Sequence, residues 1–196
     1  MWMKNRKLVV LLACAVIGVT SGVVASAVFG SSSKRAISPA AVRAALAKGE
    51  RVKVASFASV PGLADRSVFL QRNAGGLVCL WDARDAADQG GGGCNDASDP
   101  FNGKKMMFSL GWDGGPALST VSDGRLSGIV AQEVDRAYVE MSDGSRRDLK
   151  LTNASPYRAF AYRFKQKDVR AQLEPVAVVA LDASGREIDR QATGFK

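Results

Sequence analysis

Histidine is missing from all 196 residues of this chain. With no imidazole there is no Ser-His-Asp triad, no Cys-His pair and no histidine general base. Cysteine is scarce too. Of three, Cys14 sits in an apolar N-terminal stretch, which leaves only Cys79 and Cys94 beyond it. Two thiols and no histidine cannot furnish the four ligands of an ordinary structural zinc site. Clustered basic residues are also lacking. The formal charge is +8, but with Lys4, Arg6 and Lys7 set apart the remainder holds 24 basic and 19 acidic residues, spread along the chain. That modest, dispersed excess speaks against a nucleic-acid partner and fits attraction to anionic lipid heads, envelope polymers or another envelope protein.

What the N-terminus does hold is an unbroken apolar run. Residues 8–30, LVVLLACAVIGVTSGVVASAVFG, contain no charge, and no Asp or Glu precedes residue 31. As a helix at ~1.5 Å per residue this run would be ~34 Å long, against ~30 Å of bilayer hydrocarbon. Lys4, Arg6 and Lys7 ahead of it favour a cytoplasmic N-terminus and an external C-terminal domain. Two processed alternatives exist. Ala25-Ser26-Ala27 offers a signal-peptidase site after Ala27, which would release a secreted protein. Leu11-Leu12-Ala13-Cys14 resembles a lipobox, although cutting there leaves an h-region of six residues. The length of the run favours an uncleaved, single-pass anchor in the cell membrane. The expected organisation is a cytoplasmic stub over 1–7, an anchor or signal over 8–30, a linker and short helix over 31–50, and an extracytoplasmic domain over 51–196.

Composition beyond the anchor suits one globular domain. Ser38-Pro39 followed by AAVRAALAK and Gly49 punctuates a short helix: Ser38 caps free N–H groups, Pro39 fits the first turn, and Gly49 can take the left-handed terminal position. Val42, Ala45 and Leu46 form its apolar stripe, suited to docking on the domain or on a membrane surface.

From Arg51 the pattern changes to period two. Val52 and Val54 alternate with Arg51 and Lys53. Ala137, Val139 and Met141 alternate with Arg136, Tyr138 and Glu140, and Phe160, Tyr162 and Phe164 with Ala161, Arg163 and Lys165. Residues 176–181 are a continuous apolar run, as in a strand buried on both faces. Further strands are expected at 68–72, 77–81, 106–110, 126–131 and 147–151. Asp143-Gly144 and Ser184-Gly185 mark hairpin turns, and Asp123-Gly124 carries the same signature. Many short strands joined by such turns, without alternating helices, indicate a mainly β fold: an antiparallel sandwich-like or open-barrel domain behind a short helix and the N-terminal segment.

Three constellations could carry function. Cys79 and Cys94 bracket the Asp- and Gly-rich stretch LWDARDAADQGGGG, and in an exported domain they form a disulfide. Asp82, Asp85 and Asp88 in that stretch, followed by Asp96 and Asp99, are candidate calcium ligands, although their spacing is not that of an EF-hand. Trp81-Asp82 and Trp112-Asp113 are two Trp-Asp pairs, in which an indole could stack on a sugar ring while the neighbouring carboxylate, such as Asp113, binds its hydroxyls. A pair of carboxylates could also hydrolyse a glycoside, but no local sequence singles one out. Asn153-Ala154-Ser155 fits a glycosylation sequon.

The segments Cys79-Leu80-Trp81, Gly91-Gly92-Gly93-Cys94-Asn95, Ser142-Asp143-Gly144-Ser145-Arg146 and Gly185-Arg186-Glu187-Ile188-Asp189-Arg190 resemble those of small exported or membrane-anchored proteins of high-GC Gram-positive bacteria. That resemblance implies an extracytoplasmic setting and supplies no activity and no catalytic residue. The expectation is a cell-surface binding or structural module without catalytic centre or cofactor. Glycan binding or cleavage through Trp81, Trp112 and nearby acids is the first alternative, and calcium-dependent recognition the second.

Overall fold

A computed structural model describes residues 38–88, 90–114 and 121–194. The basic stub, the apolar run with its lipobox-like and Ala-x-Ala segments, and the linker at 31–35 all lie outside the described residues. Chain contacts set off a compact unit, Ala36–Lys196, from the first 35 residues. Among the described residues, no helix is long and apolar enough to cross a membrane.

The expected helix forms as its punctuation dictates. Helix α1 (Pro39–Ala47) starts where the Ser38 hydroxyl accepts from the Ala41 N–H at 3.3 Å, and Gly49 ends it at φ +73°. Its stripe docks on the domain, with Val42 and Leu46 buried among residues of the strands that follow. The helix thus belongs to the compact unit.

Among the described residues, twelve antiparallel strands make three four-stranded sheets, so the mainly β class holds. The first sheet is a meander of β1 (Val52–Ser56), β2 (Ser67–Arg72), β3 (Leu77–Ala83) and β4 (Gly91–Asp96). The second orders β5 (Met106–Gly114), β6 (Val121–Val130), β10 (Tyr157–Arg163) and β9 (Thr152–Ala154). The third orders β12 (Glu187–Ala192), β11 (Pro175–Leu181), β7 (Arg136–Met141) and β8 (Arg146–Leu149). A second short helix, α2 (Gln166–Arg170), follows β10.

The second sheet is the middle layer, because its alternate residues enter two different cores. Met107, Ile129 and Ala159 join Val68, Leu70, Val78 and Leu80 of the first sheet. Met106, Val130 and Phe160 join Val139, Met141, Val178 and Ala180 of the third. Side chains of a strand alternate between faces, so a strand burying both faces must be apolar at nearly every position or pair its polar groups. β6 does both, being buried from Asp123 to Val130.

This layering overturns several expectations. Asp123-Gly124 is no turn but lies inside β6, opposite Asp113 and Trp112 of β5. Gly124 is small because the Trp112 ring lies over it: a Cβ there would come within 2.2 Å of the indole. The ring reaches across Gly124 to stack on Phe164, centroids 5.3 Å apart. Gly128 repeats the device under Phe160, where a Cβ would meet the ring at 2.4 Å. Glycine in a strand often marks such a close approach. Gly124→Ala is therefore expected to lose about 1–3 kcal/mol in urea unfolding, through overpacking. An unchanged midpoint would show that the indole swings aside freely.

Arg163, which alternates with Phe160, Tyr162 and Phe164, is buried and bonds to the segment between β1 and β2. Within the apolar run 176–181, Val176 is 48% exposed, while Ala177 to Ala180 are buried as expected. The glycine-rich stretch is shorter as a loop than its composition suggests, because Gly91, Gly92 and Gly93 pair with β3 as part of β4. The Asp143-Gly144 and Ser184-Gly185 turns join β7 to β8 and β11 to β12, with Gly144 and Gly185 both at positive φ.

Candidate functional site

The charged residues gathered between the first and middle sheets come from strands distant in sequence. Arg125 of β6 points toward β3, and its cross-strand neighbour on β5 is Gly111. A Cβ at Gly111 would stand 3.2 Å from Arg125 Nη2 and 3.3 Å from Asp82 Oδ2, so glycine there leaves room for the guanidinium. Arg125 Nε donates to Asp82 Oδ2 at 2.7 Å and Nη1 to Asp123 Oδ2 at 2.6 Å. Asp113 takes the fork, accepting from Nη1 at 2.8 Å and Nη2 at 3.1 Å.

Two more arginines complete the group. Arg66 Nε donates to the other oxygen of Asp82 at 2.6 Å. Arg163 donates to the carbonyls of Ala58 and Ala64, and its Nε faces Asp123 Oδ1 at 3.0 Å without hydrogen-bond alignment. Three cations thus balance three anions. The side chains of Arg125, Asp123 and Arg163 are only 4%, 4% and 3% exposed, whereas Asp113 reaches the surface at 54%.

The electrostatics follow from this pairing. Burial works against charge on Arg125, but hydrogen bonds to Asp113, Asp82 and Asp123 outweigh it and hold the guanidinium above its ordinary range. The hydrogen bond from Arg125 in turn holds the Asp113 carboxyl below the usual carboxylate range. A glycosidase acid needs the opposite shift, so that it keeps a proton to donate.

The Trp-Asp pairs part company on folding. Neighbours in a strand point to opposite faces. Asp82, buried, and Asp113, at the surface, meet at Arg125, while their tryptophans go elsewhere. Trp81 is half-buried beneath the Arg51 guanidinium, 4.9 Å from the ring centroid, and its indole N–H is buried with no acceptor among the described residues. Trp112, also half-buried, stacks on Phe164 against the other core. The structure therefore brings the two acids together and separates each from its own indole.

The rest of the Asp-rich stretch shapes its own loop. Asp85 Oδ1 accepts from the N–H groups of Ala87 and Asp88 at 2.8 and 3.0 Å. Asp88 accepts from the N–H of Arg84 at 3.0 Å and of Gly90 at 3.2 Å, and these two bonds hold its carboxyl below the usual range. Asp96 accepts from Ser98, and Asp99 from the Gly103 N–H. Among the described residues, no three His, Cys, Asp or Glu side chains converge as a metal site. Arg51 fastens the loop from outside, donating to the carbonyls of Ala86 and Asp88.

Cys79 and Cys94 are joined by a disulfide. They face each other directly across β3 and β4, Cα atoms 4.0 Å apart, and so cross-link two paired strands.

Sequence reasoning missed Arg66, Asp123, Arg125 and Arg163 as a group, because no local pattern flags a buried charge. Each sits in ordinary polar spacing, and the four find each other only through the fold. A cleft at the foot of α1 was equally hidden. It has a volume of about 260 Å³ and is walled by Leu46, Val78 and Tyr157, with Arg43 and Arg72 at its edge. Comparison with protein-family models, curated proteins and solved structures found no match to this chain.

Proposed function

We propose that the chain is an exported, single-pass membrane-anchored β module that acts by binding an anionic component of the cell envelope, without a catalytic centre. The observation that carries this reading is the way charge is divided. Many carboxylates are engaged by arginines or by the backbone of their own turns, as at Asp82, Asp85, Asp88, Asp113 and Asp123. The side chains of exposed cations such as Lys53, Arg72, Arg84 and Arg170 have no ion-pair or hydrogen-bond partner among the described residues. A surface of this kind attracts polyanions at long range and weakens with salt.

Export is supported by the uncharged run behind Lys4, Arg6 and Lys7 and by the disulfide, which persists in oxidising compartments. The glycan reading draws less support, since each indole and its neighbouring acid point apart.

Protease added to intact cells should remove a C-terminal epitope, while carbonate-washed membranes keep an intact N-terminal peptide. Envelope polymers captured by the surface domain should be released between low and high salt. Mature protein beginning at Val28 in the culture fluid would replace the anchor by a cleaved signal. Capture indifferent to salt would remove the electrostatic part.

A further inference from the structure

The cleft at the foot of α1 combines two kinds of chemistry in one place. Its floor is apolar: Leu46 of α1, Val78 of β3, and Tyr157, which packs edge-on against Phe101. Its edge carries two guanidiniums. Arg43 Nη1 donates to the Ser155 hydroxyl at 2.7 Å, which fixes this side chain beside the cleft with other donors to spare. The Arg72 side chain is exposed and makes no hydrogen bond or ion pair among the described residues. Paired guanidiniums above an apolar floor match a ligand with a phosphate at one end and hydrocarbon at the other.

Chain length says where such a ligand would come from. α1, the first element of the domain, is docked in its core through Val42 and Leu46 and supplies Arg43, Leu46 and Ala47 to the cleft. Only residues 31–37 separate the apolar run from Ser38. Seven residues span at most about 25 Å even when fully extended. On the anchored reading above, this end of the domain is tethered near the bilayer surface. We infer that the cleft holds an anionic phospholipid of the anchoring membrane, with its phosphate on Arg43 and Arg72 and its apolar part on Leu46, Val78 and Tyr157.

The test uses the full chain in lipid nanodiscs made of phosphatidylcholine alone or with one third phosphatidylglycerol. Phenylglyoxal labels accessible arginines, and peptide mass spectrometry reads the rate at each. The anionic discs should slow labelling of Arg43 and Arg72 by about tenfold, the scale of a charge-assisted hydrogen bond, and leave Arg84 and Arg170, which are exposed and do not line the cleft, unchanged. Ala47→Glu places a like charge at the exposed side of the cleft and should abolish the protection without altering the melting temperature. Equal slowing of all four arginines would mean general attraction to the membrane, and would overturn the cleft as a site. So would protection that survives in the Ala47→Glu variant, or no protection at all in discs that demonstrably retain the chain. Failure of the chain to insert would instead count against the anchored reading itself.

Discussion

Arg125→Met is expected to destabilise the domain by about 3–5 kcal/mol, since removing one partner strands the others as buried, uncompensated charges. Asp123 would face only Arg163, in a geometry without hydrogen-bond alignment, and Asp82 would keep only Arg66. Typical domains have only ~5–15 kcal/mol of stability, so the variant should lie near the edge of folding. Urea unfolding followed by tryptophan fluorescence would measure the loss. A change below about 1 kcal/mol would mean that water enters the cluster and replaces the guanidinium.

The same cluster gives a pH dependence of definite sign. Asp113 has a folded carboxyl held below its unfolded range, chiefly by the hydrogen bond from Arg125. Its contribution is complete above the unfolded carboxylate range and is lost as pH falls through the folded value. Acid should therefore weaken the wild type more than an Asp113→Asn variant. This does not make the network a device for stability as such, because an apolar replacement of an entire buried ion group is often neutral or better. Its charges are matched one for one only when Arg66, just before β2, is counted with those of β3, β5, β6 and β10, so a slipped register would leave like charges together. That gives the first and middle sheets one alignment.

Much of the fold was legible because its signals were local. The Ser38 cap, Pro39 and Gly49 need only a few residues of chain to act, and α1 begins and ends where they say. The Asp143-Gly144 and Ser184-Gly185 turns are also short-range devices. Asp123-Gly124 has the same composition and a different fate, because its neighbours are decided by β5 and β10. A glycine that admits the Trp112 ring looks, in sequence, like a glycine that turns the chain. β4 was missed for a related reason: Gly91, Gly92 and Gly93 have no strand propensity, and pairing with β3 alone makes them a strand. Arg163 marks the limit most clearly. Alternation named its face correctly as the one opposite Phe160, but that face looks onto a second layer instead of water. Whether a sheet is covered on one side or both depends on residues far away along the chain.

Cys79→Ser with Cys94→Ser is expected to lower stability by about 3 kcal/mol, the chain-entropy figure for a closed loop of this size. The structure identifies what depends on the bond. β4 is an edge strand, its first four residues are exposed, and three of them are glycines with no side chains to pack. Backbone pairing with β3 and the disulfide hold it in place, aided by Asn95 donating to the Pro100 carbonyl at 2.8 Å. In a domain of this size the loss corresponds to a fall of roughly 6–12 °C in melting temperature. Because glycine keeps the most freedom in the unfolded chain, opening the loop should release more disorder than an average sequence would. The first amides to lose protection from hydrogen exchange should be those of β4 and of residues 84–88, where Arg51 and the carboxylates of Asp85 and Asp88 would be left holding a strand end that frays. The cores formed by α1, β2, β6 and β11 should keep theirs. Two free thiols per chain in protein purified without reductant would sink the disulfide itself. An unchanged melting temperature in the double variant, with exchange in β4 as slow as before, would show that the ladder to β3 is sufficient alone.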